Sequence, residues 1–381
     1  MKLVLSKEEM NLLLDLANSV TASPSQEPVL FINQIKNVSV FIPSRIKETL
    51  DEFQYKVNYY NYYNDINMNN DYDDGYLIIS LPYDCDNNES FEKGKEEEGK
   101  KGNITFIELT PNNLKTPSDN KQHIGETTNM ARIQAFFNQI LGEMVAYEAE
   151  GDGCLFQDMV PSRSLSQTQT SLGSTVELEI HTEQAFSKRR PDFLSLACLR
   201  SDPEAKTYVL HKHEIMKNLT KEKRQLLYEP LWMVGVDMSF KISSNEKVRF
   251  IESEIRGPIP IIHKDGTTDE FIEKGYYHCN SINDSLVFDQ DLMFGITEQA
   301  ENLKKEIIEI YYKHRKSYVL QQGDIVILDN RRVVHGRSSF HPKFDGNDRF
   351  IVRSFVLTGT NFHKHAFTRK NNRRMIEAFY S

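Results

Sequence analysis

Val176-Glu-Leu-Glu-Ile180 runs directly into His181-Thr182-Glu183. Val176, Leu178 and Ile180 fall on one face of an alternating segment, which predicts a short strand. The same period of two sends His181 and Glu183 to one side and Thr182 to the other, so an imidazole and a carboxylate can reach a single ion. A His beside a Glu is by itself more often a surface pair. The reading therefore needs a third ligand and a reason for it. Among the eleven histidines, His335 qualifies. It follows the apolar strand Gly323-Asp-Ile-Val-Ile-Leu-Asp329 after a short polar turn, and Gly336 behind it allows close backbone approach.

Outward from this pair, strands dominate. Gly75 to Pro82, Leu155 to Val160, Phe193 to Leu199 and Arg349 to Leu357 are short apolar or alternating runs bounded by turn residues. Helical spacing appears at Lys7 to Asn18 (Met10, Leu13, Leu14, Ala17), with Ser6 as its cap, over Met130 to Ala149, and at Thr297 to Arg315 (Ala300, Leu303, Ile307, Tyr311). Such an order predicts an α+β, mainly β fold: a double-stranded β-helix, or jelly roll, flanked by helices. One domain is expected over 1–381, with a catalytic core at 130–360 and an N-terminal part, 1–129, that carries variable loops at 55–74 and 87–103.

Composition excludes several classes. The net charge of −9 and the mixing of basic with acidic residues leave no positive field for a phosphate backbone, so nucleic acid is not expected as a partner. No apolar run approaches the roughly 20 residues that span a bilayer, and the first residues lack the pattern of a secretion signal. Cys85, Cys154, Cys198 and Cys279 have neither disulfide-framework nor zinc-finger spacing. A soluble, cytoplasmic protein is expected. Gly94 to Lys101 is a near miss to a phosphate loop, without its magnesium-binding hydroxyl or a strand leading into it.

Two histidines and one carboxylate on one face of a metal leave the opposite positions open, as in non-haem Fe(II) oxygenases. Two arginines give this reading content. Arg349 lies fourteen residues past His335, and Arg353 four residues further on the same strand face. A guanidinium pairs bidentately with a carboxylate. A dicarboxylate co-substrate that chelates iron through its 2-oxo acid end needs one such partner, and an α-carboxylate on a second substrate needs another. A catalytic zinc site for hydrolysis also uses His2Glu, but it leaves both arginines without a role. A non-catalytic jelly-roll binding protein is the remaining alternative.

Several blocks in order resemble the clavaminate synthase-like oxygenases, a group that includes asparagine and arginine β-hydroxylases of peptide-antibiotic pathways. They are Gln169 to Ser174, His181 to Phe186, Arg190 to Phe193, Cys198 to Arg200, Leu328 to Arg331, Val334 to Arg337, Asp345 to Arg349 and Arg353 to Leu357. The likeness covers roughly 130–360. It implies Fe(II) on His181, Glu183 and His335, with 2-oxoglutarate and O2 as co-substrates. It further implies the far carboxylate of 2-oxoglutarate on Arg349 with Thr207 as hydroxyl donor, a substrate α-carboxylate on Arg353, its α-amino group on Glu150, and a further polar contact at Ser171. Glu183 stands where related halogenases have Ala or Gly, so hydroxylation or desaturation is expected, not halogenation.

By the same resemblance, Asp289 and Asp291 match acidic contacts to a guanidinium, which favours a basic amino acid: arginine, then lysine or ornithine, then asparagine or glutamine. The plainer role for these aspartates is to cap the helix that follows. Asp237 is expected in a lid at about 220–245 that closes over the substrate.

Overall fold

A computed structural model describes residues 1–59, 74–81, 110, 114–237, 241–244, 247–250, 255–264, 284–358 and 375–376. The expected loop at 87–103, with its near-miss phosphate loop, lies outside them, as does most of 55–74.

The largest sheet orders its strands as Lys2–Val4, Tyr76–Ser80, Asp324–Asp329, Phe193–Arg200, Phe350–Leu357, Glu143–Tyr147 and Met375–Ile376, and Gln157–Met159 also pairs with Phe350–Leu357. Its central strands are apolar on both faces because both are covered. Along Phe350–Leu357, Phe350, Val352 and Val356 enter one core while Ile351, Phe355 and Leu357 enter another. The first core lies against the helices Lys7–Ser19, Pro28–Ser39 and Asn129–Leu141 and includes Phe31, Phe53 and Phe136. The second lies on the opposite face, where Ile180, Val209 and Val333 from the smaller sheet meet it.

The smaller sheet is antiparallel, in the order Lys316–Val319, Lys206–His211, Val333–Arg337, Leu178–His181. The two facing sheets make the expected jelly roll. The helix Glu298–His314 turns Ala300, Leu303, Ile307 and Tyr311 inward, as its spacing predicts, and Trp232 is fully buried with its Nε1 donating to the Ala300 carbonyl at 3.3 Å.

Three expectations change. The helix foreseen over Met130 to Ala149 stops at Leu141, and Glu143–Tyr147 is a strand of the large sheet. Gly142 makes the break: a Cβ there would meet the Leu357 carbonyl oxygen at 2.3 Å, so only glycine lets the two backbones come this close. The helices Pro28–Ser39 and Ser44–Tyr59 were not foreseen. Of the expected lid, Lys221–Leu226 is a helix and Trp232–Gly235 a strand with Leu227, Trp232 and Val234 buried. That part is anchored in the core. The end of Lys7–Ser19 is as read, with Ser6 and Glu9 forming a reciprocal capping box.

Candidate active site

His181 and His335 face each other across the smaller sheet as a register pair. Between His335 and Arg337 that register slips by a residue, to Leu178 opposite Arg337. A bulge of this kind re-aims side chains and is frequent beside functional sites. Gly336 sits within it, where a Cβ would press on the Leu178 carbonyl oxygen at 2.7 Å and the Tyr311 hydroxyl at 3.0 Å. The close approach read from the sequence is therefore real.

Ligand atoms of His181, Glu183 and His335 all lie within 4.8 Å of one another. The two rings are 4.4 Å apart, and His335 Nε2 is 3.8 Å from Glu183 Oε2. His181 Nδ1 lies 2.8 Å from the Glu179 carbonyl. A proton on Nδ1 donated to that carbonyl leaves the Nε2 lone pair for a metal. Burial, then the neighbouring His181 and Arg353, hold the His335 imidazole well below its usual pKa, so it is neutral and able to ligate. His335 Nδ1 is buried with no hydrogen-bond partner among the described residues. Asn330 fixes Glu183 from behind, its Oδ1 accepting from the Glu183 amide at 2.8 Å and its Nδ2 donating to the Glu183 carbonyl at 3.1 Å. Two neutral imidazoles and one carboxylate converging in this way fit a divalent transition metal.

In front of these ligands opens a cavity of about 540 Å³, lined among others by Glu150, Ser171, His181, Glu183, Asp237, Asp289, Asp291 and Arg353. Arg353 crosses its floor. Its guanidinium donates to Glu183 Oε1 at 3.0 Å, to Gln157 Oε1 at 3.2 Å and to Glu150. Gln184 Nε2 donates to the other Glu150 oxygen at 2.6 Å. Burial raises the Glu150 pKa despite Arg353.

One wall is acidic. Asp289 bridges to His181 across the backbone, and Glu179 feels the charges of both Asp291 and Asp289. Like charges gathered in a buried wall are unfavourable. Burial, then Asp291 and Asp289, raise the Glu179 pKa, and burial raises that of Asp289. The aspartates do not cap the following helix: Thr297 does, accepting from the Ala300 amide. Asp289 Oδ1 instead accepts from the Asp291 and Leu292 amides at 3.0 and 2.7 Å, closing its own turn.

Thr207 and Arg349 do not line this cavity. Thr207 is buried in the smaller sheet, opposite Arg337. Arg349 is buried just ahead of the Phe350–Leu357 strand, and among the described residues it makes no hydrogen bond or ion pair, only a contact of its guanidinium with the Phe340 ring at 5.9 Å. Burial lowers its pKa.

Comparison with known proteins decides the family. The model of the taurine catabolism dioxygenase TauD, TfdA family matches residues 122–355. The chain belongs to the TauD/TfdA dioxygenase family. It is 39% identical over 379 residues to an L-lysine 3-hydroxylase of Catenulispora acidiphila, covering 100% of this chain and 89% of that protein. An L-asparagine oxygenase of Streptomyces coelicolor is 30% identical over 220 residues, 57% of this chain and 59% of the relative. A crystal structure of asparagine oxygenase with Fe(II), 2S,3S-3-hydroxyasparagine and succinate superposes with a TM-score of 0.75 over 99% of both chains at 22% identity, which shows a shared fold. Dioxygenase membership removes the zinc-hydrolase alternative.

Sequence reading missed Gln157, Glu179, Gln184 and Asn330. Glu179 was within reach, since the period of two that joins His181 to Glu183 also reaches back to 179. Gln184 was not: it enters the site from a backbone of φ 53° after the strand has ended.

Proposed function

We propose that this protein is an Fe(II)- and 2-oxoglutarate-dependent hydroxylase of a free L-amino acid with a cationic side chain, L-lysine ahead of L-ornithine and L-arginine. The observation that carries the reading is one cavity lined by His181, Glu183 and Arg353 together with Glu179, Asp289 and Asp291, with His335 completing the ligand set of His181 and Glu183. Arginine heads the order implied by the resemblance to the clavaminate synthase-like oxygenases. The full-length likeness to a lysine hydroxylase moves lysine ahead.

His181, Glu183 and His335 would hold the iron. With 2-oxoglutarate and O2 as co-substrates, it would supply the oxidising chemistry that replaces a C–H bond by C–OH while 2-oxoglutarate becomes succinate and CO2. The protein contributes placement. Arg353 takes the α-carboxylate and Glu150 the α-ammonium, exchanging their contact with each other for contacts with the substrate. Because Arg353 also touches Glu183, the α-end lies beside the metal ligands and presents C3 to them. Glu179, Asp289 and Asp291 receive the distal cation and are relieved of mutual repulsion by it. Ser171 and Asp237 complete the cavity wall. Arg349, a buried guanidinium with no ion pair among the described residues, receives the far carboxylate of 2-oxoglutarate, with Thr207 nearby. A reacting carbon displaced by about 1 Å loses on the order of 10²-fold in rate, so this clamp at both ends is the protein's share of catalysis.

A succinate-release screen of the iron-loaded enzyme over the free amino acids, with mass spectrometry for the gain of one oxygen, tests the assignment. Lysine should give the highest turnover, with one oxygen gained per succinate. Turnover on neutral amino acids but not on lysine, ornithine or arginine would overturn it.

A further inference from the structure

Arg337 belongs to the Val334-His-Gly-Arg337 block and does not line the amino-acid cavity. The residue is 5% exposed, and its neighbour Arg349 8%. Both guanidiniums approach the ring of Phe340, at 5.0 and 5.9 Å. Among the described residues neither touches a carboxylate. Two buried like charges with no anion between them are costly, and an anion placed against both removes that cost. Thr207, directly across the sheet from Arg337, adds a hydroxyl to the same corner.

Arg337 also faces the other way. Its Nη1 and Nη2 donate to the carbonyls of Ser171 and Val176, each at a long 3.4 Å, and its Nε donates to the Ser338 carbonyl at 3.1 Å. These bonds use three of its five N–H donors. Ser171 belongs to the stretch Thr168 to Leu172 that forms a wall of the amino-acid cavity. One planar fork thus reaches the buried corner of Arg349 and the backbone of that wall.

We propose that Arg337 is a positioning residue, a second guanidinium of the co-substrate anion site, which couples the filling of that site by a dicarboxylate to the shape of the amino-acid cavity through Ser171 and Val176. The proposal rests on the 2-oxoglutarate reading of Arg349. A dicarboxylate drawn between the two guanidiniums shifts the Arg337 fork and, with it, the two carbonyls it holds. The wall at 162–177 is then set for the amino acid only when the co-substrate is in place.

The test uses enzyme loaded with Mn(II), which binds without turnover, and two readouts: calorimetric affinity for 2-oxoglutarate, and hydrogen exchange of the 162–177 peptide with and without it. In the parent enzyme 2-oxoglutarate should slow exchange in this peptide. Arg337→Gln should bind 2-oxoglutarate about tenfold or more weakly, the loss of one charge-assisted hydrogen bond, and should show no such protection at saturation. Arg337→Lys keeps the charge without the fork, so it should hold 2-oxoglutarate within about threefold of the parent and still lack the protection. With iron, both should release succinate in excess over hydroxylated product. Parent-like affinity and protection in both variants would overturn the proposal and make Arg337 a structural tie alone, while leaving the Arg349 reading intact. Absence of 2-oxoglutarate binding by the parent enzyme would bring down that underlying reading and this one together.

Discussion

The two faces of the Phe350–Leu357 strand are built for different ends. On the helix side, Phe350, Val352 and Val356 join an apolar core with Phe31, Phe53 and Phe136, into which Gln134 brings one amide that donates to the Val352 carbonyl. On the opposite side the same alternation presents Arg353, with Arg349 just before the strand, among Glu150, Glu183, Gln157 and His335. The first face stabilises the fold chiefly by apolar burial, with uncharged Gln134 and Ser354 as its buried polar groups. The second buries charges, and in the function proposed above part of their partners are bound ligands. One strand thus separates what keeps the protein folded from what it does.

Substitutions on the two faces should therefore fail in opposite ways. The largest expected effect is on the site face: His335→Ala should abolish metal-dependent succinate release while the thermal midpoint of the metal-free protein stays near the parent value. A large fall in that midpoint would show that the triad also carries the fold. Next, Phe136→Ala on the helix side should cost about 3–5 kcal/mol of stability in denaturant titration, yet leave kcat/KM per folded molecule within about twofold. A selective loss of activity would show that the helix layer tunes the site.

Smaller, and confined to substrate choice, is the acidic wall. Glu179→Gln, Asp289→Asn and Asp291→Asn should each lower kcat/KM for lysine by about 10- to 100-fold, the loss of a charge-assisted hydrogen bond of roughly 1.5–3 kcal/mol, with little change on a neutral amino acid. Equal losses on both substrates would make the wall structural.

The smallest effect separates neighbours on one strand. Gln157 and Met159 line the cavity, whereas Asp158 turns the other way and accepts from the Ile124 and Gly125 amides at 2.8 and 3.0 Å. Burial lifts the Asp158 carboxyl from 3.8 to about 6. The folded state thus keeps its proton to a higher pH than the unfolded chain, so this stabilising term is complete below about pH 4 and is lost as pH rises through about 6. Asp158→Asn should gain stability relative to the parent across that window in pH-resolved thermal melts, with activity unchanged; a flat difference would place Asp158 outside the linkage.

Strand periodicity and helical spacing in the sequence were enough for the jelly roll, the Lys7–Ser19 and Glu298–His314 helices and the convergence of His181 with Glu183, because each follows from side-chain direction along a local backbone. Resemblance to the clavaminate synthase-like oxygenases carried the roles expected of Arg349, Arg353, Glu150 and Thr207. Tertiary structure alone decided the rest. It stopped the Asn129–Leu141 helix at Gly142, since the limit there is the Leu357 backbone more than two hundred residues away. It brought Gln157, Gln184 and Asn330 to the ligands, turned Asp289 from a helix cap into a turn and cavity wall, and set Arg337 beside Arg349. These are contacts between segments far apart in the chain, and no local period encodes which distant side chain will arrive.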